Sequence, residues 1–427
     1  MSILFENVML CGTPAGSKHF VAVDGAYITA VTDIRPEGTF DRVVAADGCL
    51  LIPGFVNAHT HAAMTLFRGY GEDLPLQRWL EERIFPAEDR LTERAVFLGT
   101  QLSIAEMLAG GVTSFSDMYF FCDATARAVA ESGIKANISR SVVSFDENAD
   151  YKNDARVREG IALFRNWNGA ENGRILVDLS LHAEYTNCPA AVQCVAEAAA
   201  TLGTRVHIHL SETEREHTEG IARRGVTPTA FFLKNHLFDV PVVAAHCVYL
   251  TDEDRAILAA HGASAVHNPI SNLKLGSGMM PLTATLAAGV NVALGTDGAA
   301  SNNRLDLLRE LQTALLIAKG STRSPDCITA VDGLALATAN GARAQGRMDC
   351  GVIAVGARAD LALMDLRAPH NLPVVAPEAS LAYSAAASDT RMTVVDGRIL
   401  YENGEFYTLD VEKLKSEFTE LRTHYFD

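Results

Sequence analysis

Residues 53–61 read PGFVNAHTH: an apolar run that began as CLLI ends on His59 and His61, one residue apart. In an extended strand, residues i and i+2 face the same side. Both imidazoles can therefore meet one ion, but two imidazoles cannot hold it alone. A lone His-x-His closes a buried strand more often than it binds a metal, so the rest of the chain must decide.

Downstream, short apolar runs alternate with long helical stretches. Eight strand candidates stand out: LLIPGFVNAH, VTSFSDMYF, KANISRSVV, ILVDLSLHA, RVHIHLS, PVVAAHCV, ASAVHNP and VNVALGTDG. Between most of them lie helical segments such as RAVFLGTQLSIAEMLAGG and LTATLAAG. Repeated strand–helix units build a parallel sheet, and eight predict an α/β fold of the TIM (β/α)8 barrel type. Both chain ends are instead β-rich with Asp-Gly and Asn-Gly turns, as in HFVAVDGAYITAV, TRMTVVDGRIL and EFYTL. They predict one small β-sandwich from residues 1–52 plus 352–427, around a catalytic barrel of residues 53–351.

The chain has 427 residues, enough for a barrel with an accessory unit, and is 48% hydrophobic. Its net charge of −16 disfavours a phosphate backbone as partner, so no nucleic acid is expected. There is no apolar run of membrane-spanning length and no signal-like N-terminus. The eight cysteines are scattered without a C-x-x-C pair, which predicts buried, reduced thiols and a cytoplasmic protein.

In a barrel of this kind the strand ends meet at one mouth. His59, His61, His182, His209, His246, His267 and Asp297 all fall at predicted strand ends. Imidazoles with a carboxylate make a nitrogen and oxygen site suited to Zn²⁺ with room for a water; Fe²⁺ or Mn²⁺ is also accommodated. Asp297 stands where a carboxylate can take a proton from that water, and Glu212 follows His209 by three residues. The Gly-Thr-Asp-Gly around Asp297 also suits an ordinary turn.

Two patterns are set aside. His182-Ala183-Glu184 begins a zinc-deaminase signature whose P-C-x-x-C half is missing, since Cys188 and Cys194 are wrongly spaced. His207 shares a face with His209 but lies one layer deeper and reads as a packed histidine. His19, His217, His236, His261, His370 and His424 fall in helical, loop or terminal contexts and are expected at the surface.

PGFVNAHTH, MTLFRG, HLSET, AAHC, HNPISNLKLGSG and LGTDGAASNN, in this order, resemble the amidohydrolase superfamily. Within it they are similar to the mononuclear-metal deaminases of S-adenosylhomocysteine and 5′-methylthioadenosine. The fourth strand carries His182 where the dinuclear branch has lysine, which favours one metal per subunit. The resemblance implies His59, His61, His209 and Asp297 as metal ligands, with Zn²⁺ the expected ion. It implies Glu212 as the proton shuttle to the purine, His246 as the group that orients and polarises the attacked centre, and Asp297 as the acceptor of the water proton. It implies Trp79 packing on the substrate, Glu88 receiving the ribose hydroxyls, and Arg140, Arg156 and His182 touching the nucleoside or its 5′ substituent. The expected reaction is hydrolytic deamination of a 5′-modified adenosine to the inosine derivative and ammonia; guanine, cytosine or s-triazine hydrolysis and a catalytically dead barrel are the alternatives. The expected partner is a small nucleoside, with no membrane and with a homo-oligomer compatible but unspecified. One departure stands out: Glu184 occupies a position that is uncharged in the family pattern, which predicts a negative charge at the mouth unless Arg140 or Arg156 offsets it.

Overall fold

The structure is a computed structural model that describes all residues except Ala15, Glu147 and Asp427, and no side chains for Arg422, Thr423, His424 and Phe426, so the expectation for His424 lies outside it. Eight parallel strands form one sheet: Phe55–Thr60, Val112–Tyr119, Lys135–Val142, Ile175–Leu181, Val206–Leu210, Val242–His246, Ser264–His267 and Asn291–Leu294. They are paired in sequence order, as the eight candidates predict. The ring closes between the eighth and first strands. There the backbone N–H groups of Thr296 and Asp297 donate to the carbonyl of His59 at 3.1 and 3.0 Å.

The strands are buried along almost their whole length, because helices cover the outer face and side chains fill the inside. In the fifth strand Val206, Ile208 and Leu210 join the core under the helices, which leaves His207 and His209 to the interior. This is the period of two read from the sequence.

The run LLIPGFVNAH is not a single barrel strand. It breaks at Gly54, where a Cβ would lie 2.1 Å from Thr113 Cγ2. Before the break, Cys49–Pro53 belongs to a separate nine-stranded sheet; after it, Phe55–Thr60 opens the barrel. In that separate sheet Cys49–Pro53 lies between Ser2–Leu10 and Leu361–Asp365, so the two chain ends interleave. The two halves of the sheet share one apolar cluster that includes Ile3, Phe5, Val23, Leu361 and Val394. Asp396-Gly397 and Asn403-Gly404 both have positive φ, as two-residue hairpin turns require. EFYTL contributes only the two-residue strand Glu405–Phe406.

The C-terminal helix Val411–Phe426 packs on the barrel helix Glu93–Ala109. All eight cysteines are free, with Cys11, Cys194 and Cys327 only half-buried. His19 departs from the surface expectation: it lies on the strand His19–Asp24, half-buried against Asp33 at 2.6 Å. Among the described residues no helix is long and apolar enough to cross a membrane.

Candidate active site

His59 and His61 end the first strand on one face, and closure of the ring brings Asp297 between them. Asp297 Oδ1 lies 3.5 Å from His59 Nε2 and 3.3 Å from His61 Nε2. His209 Nε2, from the fifth strand, is 3.3 Å from His61 Nε2. Donors about 2.0–2.1 Å from one ion lie about 3–3.5 Å from one another, as these three separations do; His59 forms one candidate ligand group with His61 and Asp297 and another with His209 and His246. The Nε2 of His59 is buried with no hydrogen-bond partner, a cost that a ligand bond removes.

The ring orientations agree. His61 Nδ1 donates to the carbonyl of Met118, and His209 Nδ1 donates to that of His182 at 2.9 Å. A protonated Nδ1 leaves the Nε2 lone pair aimed inward. His59 Nδ1 lies 3.0 Å from His207 Nε2. His207 is therefore more than the packed histidine its depth suggested: it fixes the ring of His59. Burial lowers the pKa of His59 to about 4 and holds His209 well below its ordinary value, so both are neutral. Burial opposes ionisation of Asp297, but the flanking imidazoles of His59, His61 and His246 outweigh it and hold the carboxyl low. Its Oδ2 accepts from Ser271 and Ser301 at 2.6 and 2.9 Å, which turns Oδ1 to the histidines.

The Gly-Thr-Asp-Gly around Asp297 is not an ordinary turn. A Cβ at Gly295 would lie 2.5 Å from Asn268 Oδ1 and 2.8 Å from the His59 backbone; one at Gly298 would lie 2.8 Å from Met64 Sδ. The glycines serve close approach.

His246 is placed by its backbone. Alternation along the sixth strand sets Val242 and Ala244 against the helices and would set His246 there too. Instead His246 has φ +73°, in the left-handed region. Its ring lies 5.4 Å from those of His59 and His209. Such residues cost on the order of 1–3 kcal/mol each and persist where the surroundings enforce them. Here Nδ1 donates to Asn272 Oδ1 at 2.8 Å, and Nε2 lies 3.8 Å from Glu212 Oε2. Burial would lower the pKa of His246, but the carboxylates of Glu212 and Asp297 raise it. Burial raises that of Glu212 against the opposing pull of His246.

Every predicted site residue except the enclosed His59 lines one cavity of about 780 Å³. Trp79 and Glu88 form one wall. Glu88 lies beside Tyr119, and burial raises its pKa to about 7. His182 sits above His209, with ring centroids 4.9 Å apart. Arg140 and Arg156 line the cavity with their side chains already engaged. Arg140 pairs with Glu159 at 2.6 Å and lies over Phe120, while Arg156 donates to the carbonyl of Val143.

Glu184 corrects the expectation of a charged mouth. It is fully buried, between Arg223 at 2.6 Å and Arg224 at 2.8 Å. Neither Arg140 nor Arg156 takes part. The ligand groups formed by the described residues include neither Cys188 nor Cys194.

Sequence reasoning missed several residues that hold the site. Asn272 and Ser277 lie within the quoted HNPISNLKLGSG, and Glu216 follows Glu212 by four residues, on the helix Glu214–Arg224. Asp117 accepts from the backbone N–H of Ala62 at 2.7 Å, just after His61.

Residues 50–400 match the amidohydrolase family. The chain belongs to the amidohydrolase family. It is 47% identical over 380 residues to the 5-methylthioadenosine/S-adenosylhomocysteine deaminase of Moorella thermoacetica, covering 89% of this chain and 88% of the other. It is 42% identical over 400 residues to the 5′-deoxyadenosine deaminase of Methanosarcina mazei, covering 94% and 92%. Among solved structures, a zinc-bound adenosine deaminase from Xanthomonas campestris superposes with a TM-score of 0.93 at 34% identity, covering 99% and 98%. The chain is thus a hydrolase of C–N bonds in a metal-dependent family, as the motifs implied.

Proposed function

We propose that the protein is a hydrolytic deaminase of 5′-modified adenosines, releasing ammonia and the inosine derivative. The observation that carries this reading is that two overlapping ligand groups, His59 with His61 and Asp297 and His59 with His209 and His246, meet at the floor of a cavity whose wall holds Glu88. The relatives named above support the substrate class.

We assign the metal to His59, His61, His209 and Asp297, with Zn²⁺ the preferred ion and Fe²⁺ or Mn²⁺ as alternatives. Bound there, a divalent ion supplies Lewis acidity that brings the pKa of a water toward neutrality. In this scheme Glu212, whose pKa burial raises, gives a proton to purine N1, which makes C6 more electrophilic. His246 orients the attacked centre, held by Asn272 on one nitrogen and facing Glu212 with the other. Asp297 accepts the proton released by the attacking water and gives it to the exocyclic nitrogen, which leaves as ammonia, while the new C6 hydroxyl returns its proton to Glu212. Glu88 accepts two hydrogen bonds from the ribose cis-diol, which selects a nucleoside over a free base. Trp79 packs on the nucleoside, and Arg140, Arg156 and His182 serve its outer part. We keep residues 1–52 plus 352–427 and 53–351 as the proposed domain limits.

The test is turnover of 5′-methylthioadenosine, S-adenosylhomocysteine, 5′-deoxyadenosine and adenosine, followed by loss of absorbance at the adenine maximum. Turnover of at least one is expected; none with Zn²⁺, Fe²⁺ or Mn²⁺ restored defeats the reading. Turnover of guanine, cytosine or an s-triazine that survives Glu88→Ala would favour the free-base alternative.

A further inference from the structure

Glu216 lines the cavity but has no task in the reaction set out above. It is the third residue of the helix Glu214–Arg224, where a solvent-facing carboxylate would be ordinary. Its helix neighbours Glu214 and Glu219 are exposed, whereas Glu216 is buried. Its two oxygens are both committed. Oε1 accepts from the backbone N–H of Ser211 at 2.9 Å, and Oε2 from that of Glu212 at 2.8 Å.

Those N–H groups belong to a strained turn. Ser211 has φ +47°, a left-handed conformation uncommon outside glycine, asparagine and aspartate. The turn is needed because the chain must leave the fifth strand and still present Glu212 to the cavity. The carbonyl of Ser211 accepts from Val248 and Tyr249 at 3.1 and 3.0 Å, which ties the same turn to the segment after His246. The Glu212 side chain is held separately: Ser277 Oγ donates to Oε1 at 3.1 Å, which leaves Oε2 facing His246.

We propose that Glu216 is a positioning residue for Glu212, its carboxylate clamping both N–H groups of the Ser211–Glu212 turn so that the Glu212 carboxylate is aimed at the reacting purine. This rests on the deaminase reading. A carboxylate suits the task because two adjacent donors need two acceptor atoms, and a carboxylate has no hydrogen to set against either. An amide in its place offers one acceptor and turns its NH₂ toward the other donor.

The test is Glu216→Gln in the metal-loaded protein, with Glu214→Gln on the same helix turn as control. With Glu216→Gln, kcat is expected to fall about tenfold or more, as misplacement of a proton donor does. KM should stay within about twofold, because Glu216 touches no substrate group in this scheme. Metal content should be unchanged, and a crystal structure should show the Glu212 carboxylate moved from its approach to His246. Glu214→Gln should keep wild-type kcat. A lower Tm with kcat retained would make Glu216 a helix cap only and overturn the proposal. If Glu216→Gln does not fold, Glu216→Asp serves: it keeps the charge but is one methylene too short to reach both donors. Wild-type kcat in Glu216→Asp would likewise overturn the proposal. A wild-type protein that turns over no nucleoside defeats the deaminase reading instead, and the crystallographic position of Glu212 then decides the clamp by itself.

Discussion

The backbone N–H of Asp297 donates to the carbonyl of His59 at 3.0 Å, so the bond that closes the barrel also seats two of its site residues against each other. The metal site and the last seam of the sheet are one construction. The ligands therefore need no separate scaffold, and a barrel that closes correctly has already assembled them.

The first consequence concerns His61. It is partly accessible at the cavity floor, where its ring meets that of Tyr119 at a centroid distance of 6.1 Å. His61→Ala should leave the barrel folded, lower metal content and reduce kcat/KM by at least about 10³-fold, the scale of losing activation of water. Circular dichroism and elemental analysis check fold and metal together. Full turnover with metal retained would contradict the ligand assignment.

His207 gives a sharper test, because it touches His59 and not the cavity. Replacing it with Phe keeps the volume and removes the partner of His59 Nδ1. Metal affinity should fall about 10- to 100-fold, the usual cost of losing a ligand's outer hydrogen bond. Competition with a chelator measures it, and an unchanged affinity would refute the role.

Glu88 predicts a pH dependence. Burial raises its pKa to about 7, so it is protonated below that pH and ionised above it. Accepting both ribose hydroxyls requires the ionised form. KM for a ribonucleoside should therefore rise as pH falls through about 7, approaching tenfold per unit well below it. The same limb should be absent with Glu88→Gln, whose KM should be high at every pH.

Stability depends on a buried ion cluster far from the chemistry. Lys135, at the start of the third barrel strand, lies 2.5 Å from Asp360 and 2.7 Å from Asp396 of the other sheet unit. Lys135→Ala takes the cation from Asp360, while Asp396 keeps Arg358 at 3.2 Å, and should cost about 3–5 kcal/mol by denaturant unfolding. KM of the folded fraction should not change.

The order of strands and the identity of the ligand-bearing strand ends were legible because they are local. His59 and His61 share a face by the two-residue period of any strand, and apolar runs at regular spacing announce buried parallel strands. The same logic misled at LLIPGFVNAH, whose break at Gly54 depends on Thr113 lying across from it. It also misjudged Glu184, because the arginines that neutralise it come from another helix, about 40 positions along the chain.

By itself, then, the sequence determined the barrel, the His-x-His pair and the set of polar residues at its strand ends. Side-chain type and strand period depend only on near neighbours. Only the tertiary structure decided how those residues are aimed. His246 faces inward by a left-handed backbone against the alternation of its strand, Asp297 by two serine hydroxyls, and Glu212 by Glu216 and Ser277. Ser301 and Glu216 lie four residues from the groups they hold, but Ser271 and Ser277 come from a distant segment, and those partners exist only once the barrel has closed.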